Sequence, residues 1–323
     1  NTTAEIAFLQ EPIATPPGGT YSEPQDVELD VDGDPDVDTI HYTLDGSEPD
    51  CNSTEYTGPI NIAEDTTLKA IACDAEGHTS IVTTEEYIIE NQCPETNEVM
   101  SKVVGSSFGE PGHNIVVKSG GELHSDASGF LSIDTDCGIT VEDGGKITAV
   151  TAGVAGGVMS IAARSLTVES GGAVRADETN GTSSGGVVSV DTTGDTIIDG
   201  ELTANGLTGG TIIIDANNLS VSGTSVTADG STGSGGTIFV TSTGYTTVTG
   251  NVLADANTDA GSIAFIVGND LTVSESGLIR VRANNSNGVG GSLSFVVGNN
   301  ATIDGILNAK GKTEGGQITM TVK

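Results

Sequence analysis

The sequence predicts an all-β protein, in which a small β-sandwich is followed by a parallel β-solenoid of about eight coils. A short block, Leu166-Thr-Val-Glu-Ser-Gly-Gly-Ala-Val-Arg-Ala176, recurs with close variants through the second part of the chain. The composition also changes, because all nine prolines lie at or before Pro111 and only six of the 46 glycines fall within the first hundred residues. Repeats built from short β segments cannot bury their apolar faces alone, so they must stack.

These composition shifts place a domain boundary near residues 92–112. We therefore expect a sandwich over residues 1–92, a solenoid over 113–323, and a connector over 93–112 that covers the near end of the solenoid. The strands expected in the sandwich alternate in polarity or are rich in β-formers, and Pro, Gly and Asp turns separate them. They cover residues 27–31, 39–44, 67–72 and 86–89.

Four blocks of the first domain resemble a known family. They are Gly19-Thr-Tyr21, Tyr42-Thr-Leu-Asp-Gly-Ser47 with Pro49, Tyr56-Thr-Gly-Pro-Ile60 and Thr66-Thr-Leu-Lys-Ala-Ile-Ala72. In this order, over about residues 10–90, they resemble the chitobiase/β-hexosaminidase C-terminal-type domain, an immunoglobulin-like accessory module. The resemblance implies an Ig-like sandwich with a spacer or accessory role, and it does not imply the hexosaminidase reaction. Cys51, Cys73 and an acidic insert at 30–38 depart from the family pattern.

The second domain can be divided into coils of three short strands. An apolar anchor precedes the turn of each coil, at Val117, Val141, Val168, Ile198, Val221, Val248, Val273 and Ile303. A Gly-Gly pair or a single Gly precedes another strand, in which apolar residues alternate with small or polar ones, as expected for one buried face. The third strand gives an apolar-x-Ala pattern, whose Ala suits a tight corner. The pattern resembles the single-stranded right-handed parallel β-helices of secreted bacterial proteins, including haemagglutinin-type adhesins and pectate-lyase-like enzymes.

Charge and cysteine usage restrict the partners and the compartment. Eleven basic against 45 acidic residues give a net charge of −34, which argues against nucleic acid or an anionic membrane surface as partner. No apolar run approaches the roughly 20 residues that a membrane helix needs. The acids suit an extracellular surface or uptake of divalent cations, and they also suit the simpler role of keeping a β protein soluble. The chain begins at Asn1, so we expect that an upstream signal was removed or the sequence was trimmed.

Four cysteines favour two disulfides in an oxidising compartment over a metal site, because their spacing matches no zinc pattern. They are Cys51, Cys73, Cys93 and Cys137. Proximity in sequence favours Cys51 with Cys73, and Cys93 with Cys137 as a staple between the two domains, although four cysteines allow three pairings.

Calcium is the one cofactor that the sequence suggests. The segment 30–38 alternates carboxylates around Gly33, and carboxylate oxygens at this density suit Ca²⁺. The candidate ligands are Asp30, Asp32, Asp34, Asp36 and Asp38. The segment lacks EF-hand spacing, and an acidic hairpin loop is the alternative.

Catalytic groups are scarce in the repeats. All four histidines precede residue 125, and Asp143, Asp199 and Asp304 occupy equivalent turns, where Asp is a turn former. We therefore expect no enzyme. Sugar binding usually needs exposed aromatic side chains, but there is no Trp, and Phe265 and Phe295 fall at core positions.

Two groups of apolar residues are candidates for subunit contact. Ile213 and Phe239 occupy the outward position of neighbouring coils, where they form a contact patch or lie under a loop. Ile318, Met320 and Val322 lie in a last strand that matches the repeat, and a coil without a cover exposes apolar residues and unpaired backbone groups. Either another subunit covers this coil head to tail, or the sequence is a fragment of a longer surface protein.

These observations favour a secreted, extracellular or cell-surface structural protein of a bacterium. It would be a filament subunit with head-to-tail β-helix contacts or an adhesin stalk, with self-association into a fibre and surface polysaccharide as the expected partners. The alternative is a polysaccharide-binding or polysaccharide-degrading β-helix protein.

Overall fold

The computed structural model describes residues 9–21, 24–89, 93, 95–151, 155–178, 180–223 and 225–323. The chain divides into two compact units, Asn1–Gln92 and Cys93–Lys323. Every regular element in the described residues is a β-strand. The predicted all-β class is therefore confirmed.

The first unit is a β-sandwich of two sheets. Its strands are β1 Ile13–Thr15, β2 Gly19–Tyr21, β3 Gln25–Asp30, β4 Thr39–Thr43, β5 Thr54–Glu55, β6 Ile60–Ile62, β7 Thr66–Cys73 and β8 Thr83–Ile89. One sheet has the order β1-β3-β6 and the other β2-β8-β7-β4-β5. All pairs are antiparallel except β2 with β8. Apolar residues of both sheets, among them Val27, Leu68 and Tyr87, form one buried core.

The second unit is a parallel β-solenoid made of three sheets, each nine strands deep. Sheet I contains β9 Glu95–Val99, β12 His113–Val117, β15 Gly138–Val141, β18 Ser165–Val168, β21 Asp195–Ile198, β24 Asn218–Val221, β27 Thr246–Val248, β30 Leu271–Val273 and β33 Ala301–Ile303. Sheet II contains β10 Lys102–Val104, β13 Glu122–His124, β16 Lys146–Thr148, β19 Ala173–Arg175, β22 Glu201–Thr203, β25 Ser225–Thr227, β28 Asn251–Leu253, β31 Leu278–Arg280 and β34 Ile306–Asn308. Sheet III contains β11 Ser107–Phe108, β14 Phe130–Asp134, β17 Val158–Ala163, β20 Val187–Thr192, β23 Thr211–Ala216, β26 Thr237–Ser242, β29 Ser262–Val267, β32 Ser292–Val297 and β35 Gln317–Val322.

Each coil takes one strand from each sheet, so the predicted anchors form continuous columns inside the solenoid. Val168, Val221 and Val273 are at most 1% exposed. Phe265 and Phe295 stack inside, with ring centroids 5.5 Å apart. The solenoid has nine coils, which are the eight predicted from residue 113 on and one further coil before them. At about 4.8 Å a step, the stack is about 40 Å long.

The connector differs from its expected role as a cover. Residues 95–108 form β9, β10 and β11, which pair in parallel with β12, β13 and β14. The segment is therefore the first coil of the solenoid. Sequence inspection missed this coil because it lacks a Gly-Gly pair and has Asn97 and Ser106 near positions that are apolar in later coils.

The Gly-Gly pairs have a steric cause. A Cβ atom on Gly186, Gly210 or Gly236 would lie 2.0–2.1 Å from the carbonyl oxygen of the glycine one coil earlier. The same approach recurs at Gly261, Gly291 and Gly316. Only glycine lets the chain pass this corner at the spacing of a parallel sheet, so the glycines keep the coils in register.

Candidate interaction surfaces

The last coil exposes residues that belong to the core columns. In β32, Leu293, Phe295 and Val297 are at most 1% exposed. Their partners one step further on, in β35, are Ile318, Met320 and Val322, which are 47%, 39% and 47% exposed. Ile303 and Leu307 of the same coil are half-buried. We call the surface formed by these five residues the end face.

The end face is also a row of strand edges. β33, β34 and β35 each lie at the margin of their sheet and pair on one side, with β30, β31 and β32. An unpaired strand edge presents backbone donors and acceptors that favour pairing with another chain. The sequence predicted β35 and its three apolar residues for this surface.

A second apolar surface lies on the outer side of sheet III. Ile213 and Phe239 are adjacent in register and 37% and 36% exposed, so both take the predicted outward position. Ile266, on the next strand, is 42% exposed and extends this outer patch. Ile266 was missed from the sequence because the comparison between coils covered the outward position of Ile213 and Phe239, and Ile266 occupies the next outward position along its strand. The same comparison missed the neighbouring pair Phe130 and Val158, which are 45% and 46% exposed.

The acidic segment lies at the end of β3 and in the turns before β4. Asp30, Asp32, Asp36 and Asp38 are exposed, and Asp34 is half-buried. The amide N–H groups of Gln10 and Asp36 donate to the Asp34 carboxylate, and these hydrogen bonds hold the pKa of Asp34 below its usual value. Within the described residues, no three of the five carboxylates bring ligand atoms within 4.8 Å of one another. Calcium binding stays a prediction.

Two other clusters meet that distance criterion in the described part of the chain. Asp74, Glu76 and His78 share a turn of the first unit, where the hydrogen bond from His78 to Asp74 raises the histidine pKa. The second cluster contains Asp136 beside Cys93 and Cys137, whose sulfur atoms form a disulfide and are therefore not free as metal ligands.

The two disulfides join Cys51 to Cys73 and Cys93 to Cys137, the pairing favoured from the sequence. Cys51–Cys73 lies in the first unit. Cys93 and Cys137 both belong to the second unit, so the expected staple between domains is instead a link within the solenoid, close to its first coils.

A ladder of polar side chains lies along the corner after sheet II, and it was not predicted from the sequence. Asn205, Asp229, Asp255 and Arg282 each donate a backbone N–H to the side chain one coil earlier, at 2.6–2.8 Å. Asp177 is the first acceptor of this ladder. The available signal was an Asp or Asn directly after Ala176, Ala204, Ala228 and Ala254.

Burial makes two carboxylates of this ladder, those of Asp177 and Asp229, harder to ionise. Burial raises the pKa of Asp177, and it raises the pKa of Asp229 to about 6, with a further contribution from the nearby Asp255 carboxylate. Two guanidinium groups lie beside the Asp255 carboxylate, that of Arg280 at 2.6 Å and that of Arg282 at 3.7 Å. The ladder ties coils together and has the chemistry of a structural network.

No helix in the described residues is long and apolar enough to cross a membrane. Residues 16–84 match the family model of the chitobiase/beta-hexosaminidase C-terminal domain. A search of curated proteins found no match, and neither did a search of solved structures. Together with the two disulfides, the matched domain suggests an extracellular protein. The N-terminal unit is thus similar to a domain associated with glycoside hydrolases, and with the β-solenoid it indicates a carbohydrate-related or surface protein.

Proposed function

We propose that the chain is a secreted structural protein of a bacterial surface that associates end to end into a filament. The alternative structural role at the same surface is that of an adhesin stalk, formed by a single copy. The observation that carries the proposal is the end face, where columns that are buried in the seven inner coils continue into solvent. A further parallel coil placed there extends all three sheets.

Two energetic terms favour such docking. Burying the exposed parts of Ile318, Met320 and Val322 removes apolar surface from water, at about 25 cal/mol per Å². Pairing the three strand edges replaces water on backbone groups, and each hydrogen bond contributes about 0.5–1.5 kcal/mol. A head-to-tail contact whose rotation does not close gives an open filament.

A role without catalysis is part of this proposal. About half of the outward positions of the three sheets hold Ser, Thr or Asn, and the rest include both apolar and charged side chains. His124, the last histidine of the chain, is bonded to Glu122. The acids of the polar ladder, Asp177, Asp229 and Asp255, accept backbone N–H groups of the next coil.

The second candidate function is binding of surface polysaccharide. It is favoured by the match of residues 16–84 to a domain named after chitobiase and β-hexosaminidase. On the solenoid, the exposed ring of Phe239 is the side chain best suited to stack on a sugar. Retention of the chain on insoluble glycans, compared with a Phe239→Ser variant, tests this candidate.

The filament is tested by light scattering and negative-stain microscopy over a range of protein concentrations. We expect the mass of the wild-type chain to rise with concentration. Ile318→Lys with Met320→Lys places charge in the end face and should leave monomers. Thr319→Lys with Thr321→Lys changes the other side of the same strand and should leave association intact. Monodisperse wild-type monomers at high concentration would refute the proposal.

A further inference from the structure

We infer that the outer side of sheet III binds a linear, neutral polysaccharide along one continuous apolar stripe. The outer patch and the pair Phe130 and Val158 are parts of this stripe, which Val187 joins and Val296 continues. The inference rests on the second candidate function, polysaccharide binding. It adds to that function the surface, the direction of the bound chain and the class of glycan.

Each of seven successive strands contributes one large apolar residue to the outer side of the sheet. They are Phe130, Val158, Val187, Ile213, Phe239, Ile266 and Val296, on β14, β17, β20, β23, β26, β29 and β32. Five of them are 36–46% exposed, and Val187 and Val296 are half-buried. All seven strands pair on both sides, so the stripe includes neither the first nor the last strand of the sheet.

Strand register makes the stripe diagonal. The apolar residue takes the first outward position in β14, β17 and β20, the second in β23 and β26, and the third in β29 and β32. Six steps of about 4.8 Å carry it about 29 Å along the stack, and four residues of about 3.3 Å carry it about 13 Å along the strands. The stripe is therefore about 32 Å long, and it is one side chain wide.

Hydrogen-bonding side chains border the stripe on both sides. Its first half is bordered by Ser132, Ser160 and Ser189, and its second half by Thr211, Thr237, Ser262 and Ser292. Asp191 and Asp215 lie beside it at adjacent positions in register, and both are exposed. Neither has an ion-pair partner in the described residues. Like charges side by side destabilise a sheet, and sugar hydroxyls that donate to these carboxylates would offset that cost.

Charge restricts the class of glycan. The outward positions of the seven strands, all of which the structure describes, hold no Lys, Arg or His, and their only charged residues are Asp134, Asp191 and Asp215. An anionic polysaccharide would meet carboxylates of its own sign, which disfavours contact. A neutral chain has hydroxyl donors and acceptors for the Ser, Thr and Asp side chains and carries no charge that they repel.

The shape of the stripe favours a glycan over a protein partner. A large aromatic side chain buries about 150–250 Å², so side chains that are less than half exposed offer at most about 100 Å² each. Seven of them in single file fall short of the roughly 800 Å² that each partner buries in a stable protein interface. An extended peptide is disfavoured because the backbone of these strands is already paired on both sides and offers it no ladder.

A pyranose ring matches the stripe in both respects. Its C–H face is apolar and packs on side chains such as Phe239 and Ile213, while its hydroxyl groups project from the ring edge toward the bordering polar residues. An apolar floor with a few polar groups that fix orientation is the usual make-up of a ligand site. The single file of apolar residues places successive sugars along the diagonal.

Affinity gel electrophoresis of the 323-residue chain tests the inference. The neutral probes are hydroxyethyl cellulose, mixed-linkage β-glucan, glucomannan and glycol chitin, and polygalacturonate is the anionic probe. We expect at least one neutral glycan to bind at least tenfold more tightly than polygalacturonate. Oligosaccharides of the retained glycan should gain affinity with length until the chain spans about 32 Å, and then level off.

Variants assign the binding to the stripe. Ile213→Ser with Phe239→Ser should weaken binding at least tenfold, and Asp191→Asn with Asp215→Asn about fivefold. Tyr245→Ser is the matched control, because Tyr245 is a 51% exposed aromatic residue outside sheet III, and it should bind as the wild type does. Phe130→Ser with Val158→Ser repeats the test at the other end of the stripe, should the first pair fail to fold.

The outcomes separate the stripe from the function on which it rests. Neutral-glycan binding that both stripe variants leave unchanged would overturn the inference and leave polysaccharide binding standing at another surface. Tighter binding of polygalacturonate would overturn the neutral class. Loss of self-association in Ile213→Ser with Phe239→Ser, without loss of glycan binding, would assign the stripe to contact between copies and overturn the inference. No retention by any neutral glycan would overturn both the inference and the second candidate function.

Discussion

The glycine column gives the sharpest test of the fold, through the substitution Gly236→Ala. An added Cβ would lie 2.0 Å from the carbonyl oxygen of Gly210, which is backbone and cannot rotate away. That oxygen also accepts the N–H of Thr237 at 2.9 Å, and the carbonyl of Gly236 accepts the N–H of Ser262 at 3.0 Å. Relief of the clash must therefore move two coils apart at a point where both are hydrogen-bonded.

The expected cost can be worked out from that geometry. Cβ contacts closer than 3.0 Å are essentially absent from real structures, so the two coils must separate locally by about 1 Å. Overpacking of this kind costs about 1–3 kcal/mol, and weakening one or two ladder hydrogen bonds adds about 0.5–1.5 kcal/mol each. We expect Gly236→Ala to lower the free energy of unfolding of the solenoid by about 3 kcal/mol.

Urea unfolding can separate the two units, because four of the five tyrosines lie in the first hundred residues and there is no Trp. Far-UV circular dichroism reports mainly on the solenoid, and tyrosine fluorescence reports mainly on the first unit. The fluorescence transition should stay unchanged. Gly315→Ala is the matched control, because no atom lies within 4 Å of its added Cβ. Equal stability of the two variants would refute the steric account of the glycine column.

Two further predictions concern pH and the first disulfide. Burial raises the pKa of Asp229 to about 6. Between pH 4 and 6 the folded state therefore binds more protons at this group than the unfolded state does. The contribution of Asp229 to stability accordingly falls as the pH rises through that window. Urea unfolding between pH 4 and 8 should show a free energy of unfolding that depends less on pH in the Asp229→Asn variant than in the wild type. An unchanged pH dependence would contradict the prediction. Replacing Cys51 and Cys73 by Ser opens a link spanning 22 residues and should cost the first unit about 3 kcal/mol, measured by tyrosine fluorescence; an equal loss in the solenoid transition would contradict it.

Inward positions made the solenoid predictable from the sequence. A side chain buried against its equivalents in the coils above and below must be apolar, so positions such as Val168 and Val221 repeat their chemistry along the chain. The glycines repeat because a neighbouring carbonyl excludes any Cβ. Both constraints act in every coil, and repetition is the feature that one sequence displays without homologues.

Features that occur once, or that depend on contact between coils, were harder to predict. The first coil was assigned to the connector because Asn97 and Ser106 interrupt its apolar pattern. The ladder of Asp177, Asp229 and Asp255 depends on backbone N–H groups one coil away, and these appear only once the register is known. The link between Cys93 and Cys137 falls inside the solenoid because the chain enters its first coil directly after Cys93.

Binding surfaces of this solenoid are indicated by residues that depart from the repeat. Outward side chains are under weak structural constraint, so Ser, Thr and Asn there carry little information about partners. Two kinds of residue are more informative: apolar residues at outward positions, and apolar residues at inward positions that stay exposed. Phe239 and Ile213 break the outward rule, and apolar area is all that they offer to a partner. Ile318, Met320 and Val322 obey the inward rule without being buried, on a strand whose free edge also offers backbone hydrogen bonds. The end face therefore combines apolar columns with strand edges that can pair, which the outer patch lacks, and for this reason we propose end-to-end rather than side-by-side contact.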